Sequence, residues 1–303
     1  MAILGPTASG KSSLAEYLAV KAGGELINSD ASAVYRELSV GVTKPDLALR
    51  EKIPHHCWDM ASVLDGFDLM EYLQKAEETI QDVTQRGSLP IVVGGTGLYA
   101  RALLDGYRPP QVDIPEELRK RVREMPDEEA RERLRDLDPV TFKRIDHLNP
   151  RRVCRALELV LTTGSPLQPP KKVKRDDLNT LKIILLPKRS LLKHRIQRRA
   201  EQMWTPWVKE VDLLEKNGLT RWVELRKPIG YSWVLAHNRG DLSRDEAMGN
   251  IIRQTCKLAK RQQTWLNRES EGPNCHKFNL EYEEQWSQLP KDCWLLLQDF
   301  LGA

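Results

Sequence analysis

The stretch Gly5-Pro6-Thr7-Ala8-Ser9-Gly10-Lys11-Ser12 decides the fold. It is a complete G-x-x-x-x-G-K-S, and its flanks supply the context that such a motif needs. Ala2 to Leu4 is a short apolar strand. Lys11 to Ala22 carries Leu14, Ala15, Leu18, Ala19 and Ala22 at helical spacing, and Gly23-Gly24 stops the helix. A glycine loop between a strand and a helix lets backbone N–H groups wrap around phosphate oxygens, while the helix N-terminus adds positive potential. Lys11 then neutralises charge and the Ser12 hydroxyl can hold Mg²⁺, so Gly5, Pro6, Thr7, Ala8, Ser9, Gly10, Lys11 and Ser12 are read as a diphosphate site. Whether the ligand is a nucleoside triphosphate or another diphosphate is not encoded in the loop.

The same alternation continues downstream. Glu25 to Asn28 reads as a second strand, Glu71 to Gln85 as a helix and Leu89 to Val93 as a third strand, the order of a parallel sheet covered by helices. The first strand is unusually short, as expected if a few residues upstream have been lost or the start is assigned late. After Tyr107 the prolines Pro109, Pro110 and Pro115 and the mixed-charge stretch Glu116 to Arg135 mark an inserted helical lobe. A connection through Pro166, Pro169 and Pro170 returns the chain to strand pattern at Lys182 to Leu186. The expected fold class is α/β: a P-loop NTPase-like core, its parallel sheet flanked by helices, over 1–111 and 176–303, with a helical insertion domain over 112–175. From Leu191 onward the pattern is helical. Ser243 and Glu246 form a capping box ahead of an apolar face of Met248, Ile251, Ile252, Thr255, Leu258 and Ala259.

Composition narrows the function classes. The chain has 303 residues, 40% of them apolar and 30% charged, enough for a substantial core and two lobes. No run approaches the roughly 18 apolar residues of a membrane span and no signal-peptide pattern opens the chain, so the cytoplasm is the expected location. The five cysteines are far apart with no C-x-x-C pair, which fits reduced thiols better than disulfides or zinc. His55 and His56, neighbours on an extended segment, point opposite ways and lack a third ligand at suitable spacing. Net charge is only +4, but Lys171 to Ala200 holds eleven Lys and Arg against Asp176 and Asp177, a distribution suited to a polyanion or to a solvated face.

In open parallel sheets ligands bind beyond the carboxyl ends of the strands. Asp30 follows the second strand and Thr96, in Gly94-Gly95-Thr96-Gly97-Leu98-Tyr99, follows the third, so both should face the crevice of the glycine loop. By position Asp30 fits a base, a Mg²⁺ ligand or a turn cap.

A set of motifs in register now carries a resemblance. The glycine loop is followed by Ile27-Asn28-Ser29-Asp30 with Val34-Tyr35-Arg36, then Lys44-Pro45, Pro54-His55-His56 and Gly94 to Tyr99. Arg151-Arg152 with Arg155-Ala156-Leu157-Glu158, Gly230-Tyr231, and Lys260-Arg261-Gln262 with Trp265 complete the order. Over about residues 3–266 the chain resembles tRNA dimethylallyltransferases, also called tRNA isopentenyltransferases. The resemblance implies transfer of dimethylallyl from its diphosphate to N6 of the adenine just 3′ of the anticodon, with Mg²⁺ as cofactor and the tRNA anticodon stem-loop and dimethylallyl diphosphate as partners. A monomer without membrane contact is expected.

The chemistry fits those residues. Adenine N6 is a poor nucleophile, because its lone pair is delocalised into the ring, whereas a diphosphate leaves readily once its charge is stabilised. Asp30 is suited to accept a proton from N6, Lys11 and the loop amides to stabilise the leaving group, and Thr96 to donate to its oxygens. By resemblance Arg119, at the entry to the insertion, and Arg199, on the helix after it, also lie along the channel; each reads equally well as a solvated arginine. Arg253, Lys257, Lys260 and Arg261 fall at i, i+4, i+7 and i+8, a basic stripe with Gln262 and Trp265 beside it. Arg151, Arg152 and Arg155 form a second cluster. Asp30, Ala31, Ser32, Ala33, Gly230 and Tyr231 complete the segments implied to meet tRNA.

There are departures. Ala31 and Ala33 stand where the family usually carries Ser and Gln, Met203-Trp204-Thr205-Pro206-Trp207 where it tends to have Leu and Gly, and Ser232 where a basic residue is common. A small-molecule P-loop kinase, a prenyltransferase on free adenine nucleotides and a non-catalytic RNA-binding protein are the competing readings. The insertion and basic stripes count against the first two, and the phosphate loop with Asp30 and Thr96 against the third.

Overall fold

The computed structural model describes residues 1–110, 112–169, 171–269 and 273–302, and the chain divides into two compact units, Met1–Asp105 with Arg175–Ala303, and Gly106–Lys174. The first unit contains β1 (Ala2–Leu4), α1 (Lys11–Ala22), β2 (Gly24–Ser29), α2 (Leu47–Lys52), β3 (His55–His56), α3 (Leu69–Gln85), β4 (Leu89–Gly94) and α4 (Gly97–Leu104). The second contains β5 (Tyr107–Arg108), α5 (Glu116–Glu124), α6 (Asp127–Leu137), α7 (Pro139–Arg144), α8 (Pro150–Thr163) and β6 (Lys171–Lys172). The first unit then resumes with β7 (Lys182–Pro187), α9 (Arg189–Lys216), α10 (Thr220–Arg226), α11 (Tyr231–Asn238), α12 (Arg244–Leu266), β8 (Cys275–Leu280) and α13 (Gln285–Leu301).

The sheet of the first unit has the order β3-β2-β4-β1-β7-β8, and every pairing in it is parallel. The expected strands and helices of the core are present within a residue or two of their expected ends, and the α/β class holds. After β1 the chain lays β2, β3 and β4 on one side of that strand, β4 coming back next to β1, and crosses to the other side at β7. That switch of direction puts a crevice at the carboxyl end of β1, where the phosphate loop lies. Its glycines are used: Gly10, at φ 87°, turns the chain into α1, and Gly23, at φ 61°, ends that helix.

Helix α1 packs Leu14 and Leu18 onto Ile3, Ile91, Ile183 and Leu185 of the sheet, and α13 adds Leu289 and Leu297 to the same cluster. Leu18 is fully buried, and each such leucine contributes about 2 kcal/mol by removal from water. A second apolar cluster joins α9, α11 and α12 through Trp204, Trp207, Val211, Tyr231, Val234 and Ile251. Helix α12 begins with the expected capping box, the Ser243 hydroxyl accepting from the Glu246 N–H while Glu246 accepts from the Ser243 N–H.

The helical unit has its own core of Val122, Ala130, Leu134, Val153, Leu157 and Val160. Its chain ends are drawn together by antiparallel pairing of Tyr107 with Lys172 and of Arg108 with Lys171, so the unit starts at Gly106. Gln111, the expected boundary, and Pro170 lie outside the described residues. Among the described residues no helix is long and apolar enough to cross a membrane.

Candidate active site

A cavity of about 370 Å³ opens at the carboxyl end of β1, lined at one end by Thr7, Ala8, Ser9, Gly10, Lys11, Ser12 and Asp30. Lys11, Arg195, Arg198 and Arg199 line it with Asp30 as the one carboxylate, so the pocket is built for an anion. Arg199 donates to the Thr7 hydroxyl at 2.7 Å, and the Lys11 ammonium donates to the Pro6 carbonyl at 3.3 Å. Burial lowers the Lys11 pKa to about 8, the Asp30 carboxylate opposing and the Arg199 charge adding to the shift. Burial lowers Arg199 as well, again opposed by Asp30. Two cations and one carboxylate thus share one half-buried space.

Asp30 stands just beyond β2. Its N–H donates to the Asn28 side-chain oxygen at 2.9 Å, and its Oδ1 accepts from the Ser32 N–H at 2.9 Å. Asn28, 2% exposed, also ties this turn to Cys57 by donating to its carbonyl. Oδ2 has no partner among the described residues, so one carboxylate oxygen remains for a substrate. Thr96 acts beside it, since its hydroxyl oxygen accepts from the Ala31 N–H at 3.1 Å and its N–H donates to the Ser29 carbonyl. That bond orients the Asp30 turn and leaves the Thr96 hydroxyl proton to donate, although Thr96 is not among the residues lining the cavity.

Several residues expected at an RNA surface lie elsewhere. Gln262 is 6% exposed and joins two loops: its Oε1 accepts from the Thr7 N–H at 2.8 Å, and its Nε2 donates to the Gly95 carbonyl at 3.0 Å. Tyr231 is fully buried with its hydroxyl on Glu210 at 2.6 Å, and Gly230, also buried, donates its N–H to Gln254. Ala33 is buried too, whereas Ala31 is half-buried and Ser32 lines the cavity. Trp265 is half-buried against Gly97, where an added Cβ would lie 2.8 Å from the indole. Of these expected RNA contacts only Ser32 lines the cavity; Gln262 acts from behind it through hydrogen bonds to the loops, and Tyr231 through its bond to Glu210. Arg253, Lys257, Lys260 and Arg261 are exposed along the outer face of α12, as the helical spacing required. In the helical unit Arg119 lies on α5 beside Glu116, and Arg151, Arg152 and Arg155 are exposed on α8.

Three further residues support the site. Arg195, one turn before Arg199, is held between Glu283 at 3.0 Å and the face of Trp286, 4.3 Å from the ring centroid. Trp286 in turn donates its indole N–H to the Ser9 carbonyl at 2.9 Å. Glu210 accepts from the N–H groups of Ser39 and Val40 at 2.9 and 2.6 Å, fixing the loop whose Gly41, Val42 and Thr43 line the cavity. Four-residue spacing from Arg199 is a sequence signal for Arg195; none points to Trp286, which reaches the loop from 277 positions away.

Among the described residues no group of three or more His, Cys, Asp or Glu could hold a metal. The donor set still fits Mg²⁺, which takes one or two protein oxygens and completes its shell with phosphate and water. The Ser12 hydroxyl is exposed into the same cavity as Asp30.

The model of the IPP transferase family matches residues 33–269. The tRNA dimethylallyltransferase of Pelotomaculum thermopropionicum is 36% identical over 89% of this chain and 88% of its own length. The full-length tRNA isopentenylpyrophosphate transferase structure from Bacillus halodurans is similar with a TM-score of 0.68 at 28% identity, over 99% of this chain and 97% of that one. A eukaryotic dimethylallyltransferase acting on tRNA shares the fold, with a TM-score of 0.83 at 24% identity over 99% of this chain and 79% of that one. A family model matched over most of the chain and a relative covered along most of its length show that the chain belongs to the tRNA dimethylallyltransferase (IPP transferase) family.

Proposed function

We propose that this protein transfers a dimethylallyl group from dimethylallyl diphosphate to N6 of the adenine 3′ of the anticodon in tRNA. The observation that carries the reading is one cavity with a phosphate loop and cations at one end, apolar walls beyond them, and Asp30 in its lining. An allylic diphosphate needs the first two, and a weakly nucleophilic amine needs the third.

The diphosphate sits against the loop amides, Lys11 and Arg199, with Arg195 alongside. The Ser12 hydroxyl would hold Mg²⁺, which would supply further neutralisation of the leaving group. The N6 electron pair forms a bond to C1 of the allyl group as the C1–O bond breaks and diphosphate departs with that bond's electrons. The N6 proton passes to Asp30, whose Oδ1 is held by Ser32 and whose turn is held by Thr96. Because the charges are fixed before substrate arrives, little reorganisation accompanies the step. Arg119 is proposed as a further catalytic residue on the strength of the resemblance alone.

An adenine stacked in a folded anticodon loop must leave its stack to enter such a crevice. The exposed stripe on α12 and the arginines of α8 are proposed to hold the RNA backbone while it does so. The test is incubation of the purified protein with dimethylallyl diphosphate, Mg²⁺ and either unmodified tRNA or adenosine monophosphate, followed by mass spectrometry. N6-prenyl adenosine in tRNA is expected; product from the free nucleotide only would overturn the assignment of substrate.

A further inference from the structure

The cavity runs along one face of α9. Arg199, Met203 and Trp207 recur every fourth residue and all line it. At about 1.5 Å of rise per residue, the stripe carries the lining roughly 12 Å from the guanidinium to the indole. The two ends have different surroundings. Ile196, one turn before Arg199, packs with Ala8 of the phosphate loop, whereas Trp207 belongs to the separate cluster of Leu38, Tyr231 and Ile251. The indole is therefore the wall at the end of the cavity away from the phosphates.

That wall is rigid. Trp207 is 3% exposed and wedged between two glycine backbones. A Cβ on Gly41 would lie 2.5 Å from its Nε1, and one on Gly230 would run into its Cη2. Gly230 has φ 85°, and the edge of Tyr231 closes a third side with centroids 5.4 Å apart. The indole Nε1 is buried without a hydrogen-bond partner, an unfavourable arrangement that a phenyl or aliphatic side chain would avoid. What the indole supplies that those side chains lack is reach.

We infer that Trp207 is the specificity-determining residue that restricts the donor to a single isoprene unit. This rests on the prenyl-transfer reading. A diphosphate anchored on the glycine loop directs its hydrocarbon past Met203, and a geranyl chain, one unit longer, collides with the indole. The bond changes are the same for either donor: N6–C1 forms, C1–O breaks, diphosphate leaves and the N6 proton passes to Asp30. Only the fit of the tail differs.

The experiment compares wild type, Trp207→Ala, Trp207→Leu and Trp207→Phe with dimethylallyl and geranyl diphosphate as competing donors to unmodified tRNA. The adenosine products are weighed by mass spectrometry, and binding of each diphosphate is measured directly by calorimetry. Wild type makes the dimethylallyl product almost alone. The Ala and Leu variants shift the geranyl-to-dimethylallyl ratio, in products and in affinities, by roughly tenfold or more, with Phe intermediate. Leu keeps the apolar cluster filled, and calorimetry reads the pocket even where turnover is lost. An unchanged ratio in the folded variants overturns the inference, as does a rise in the tRNA KM alone, which would put the base against the indole. Wild type inert with dimethylallyl diphosphate and tRNA would instead defeat the prenyl-transfer reading itself.

Discussion

Arg199 on α9 donates to the hydroxyl of Thr7 at 2.7 Å across 192 positions of sequence, and so ties the long helix to the tip of the phosphate loop. The same guanidinium helps to hold the Lys11 pKa down to about 8. Keeping two cations close together in a half-buried pocket is unfavourable until an anion arrives. The proposed diphosphate would relieve that repulsion, so the two cations together favour it more than either would alone.

The first prediction follows from that electrostatic state. Above about pH 8 the free protein carries neutral Lys11, so diphosphate binding must take up a proton. Affinity should be level below that pH and fall about tenfold per unit above it. The sign for stability is opposite: between about 8 and the ordinary 10.5 the unfolded chain holds more protons, so folding is favoured as pH rises. Lys11→Arg should remove the break in affinity, and Lys11→Ala should weaken donor binding at every pH while leaving tRNA binding intact. Calorimetry in buffers of different ionisation enthalpy reads the proton directly. A level profile to pH 9.5 would place Lys11 away from the phosphates.

Trp286 is predicted to matter through its N–H rather than its size. Trp286→Phe keeps a ring face for Arg195 but leaves the Ser9 carbonyl without its donor, a loss of about 1 kcal/mol. The donor KM should rise severalfold with kcat little changed, and Trp286→Ala should raise it further. Equal KM values for Phe and wild type would show that the indole serves packing alone.

Gln262 gives a sharper contrast, because the sequence places it beside the basic stripe and the structure places it beneath the phosphate loop. Gln262→Ala leaves the Thr7 N–H and the Gly95 carbonyl unpaired, which should cost about 1–3 kcal/mol of stability and weaken donor binding. Affinity for tRNA without donor should stay the same. A fall in tRNA affinity at unchanged Tm would restore the RNA contact.

This contrast shows what the sequence could carry. The phosphate loop was legible because eight consecutive residues set its conformation, and β7 because Ile183 to Leu186 is a continuous buried run. Strand β8, an edge strand of Cys275-His276-Lys277-Phe278-Asn279-Leu280 with only its last residue buried, has no such run, and β3 is two residues long. Polarity groups Gln262 with the basic stripe, yet Thr255, Ala259, Gln262 and Leu266 continue the buried spacing of α12. Arg195, Glu210 and Trp286 act through partners 88, 171 and 277 positions away, a distance that no local pattern spans.

The basic stripe should appear in the salt dependence of tRNA binding. About six phosphate contacts imply a roughly thousand-fold loss of affinity between about 50 and 200 mM salt. Replacing Arg253, Lys257, Lys260 and Arg261 together by Ala should flatten that slope while leaving donor binding unchanged, since all four are exposed on the outer face of α12. A slope untouched by the replacement would assign the RNA backbone to another surface.

Asp30 separates prenyl transfer to N6 from any kinase-like use of the same phosphate loop. Asp30→Asn is nearly isosteric and keeps an oxygen that can accept from the Ser32 N–H, so the turn after β2 should hold. What is lost is the charge and the capacity to take a proton. Turnover should fall by about 10² to 10⁴, with dimethylallyl diphosphate affinity nearly unchanged because that ligand is proposed to rest on the loop, Lys11 and Arg199. Loss of Mg²⁺-dependent diphosphate binding would instead make Asp30 part of the metal's surroundings. Circular dichroism must accompany the assay, since Asp30 also closes a turn and its replacement could act through unfolding. A folded Asn variant that modified tRNA at the wild-type rate would show that N6 attacks without a protein acceptor, and the proton would have to leave through solvent.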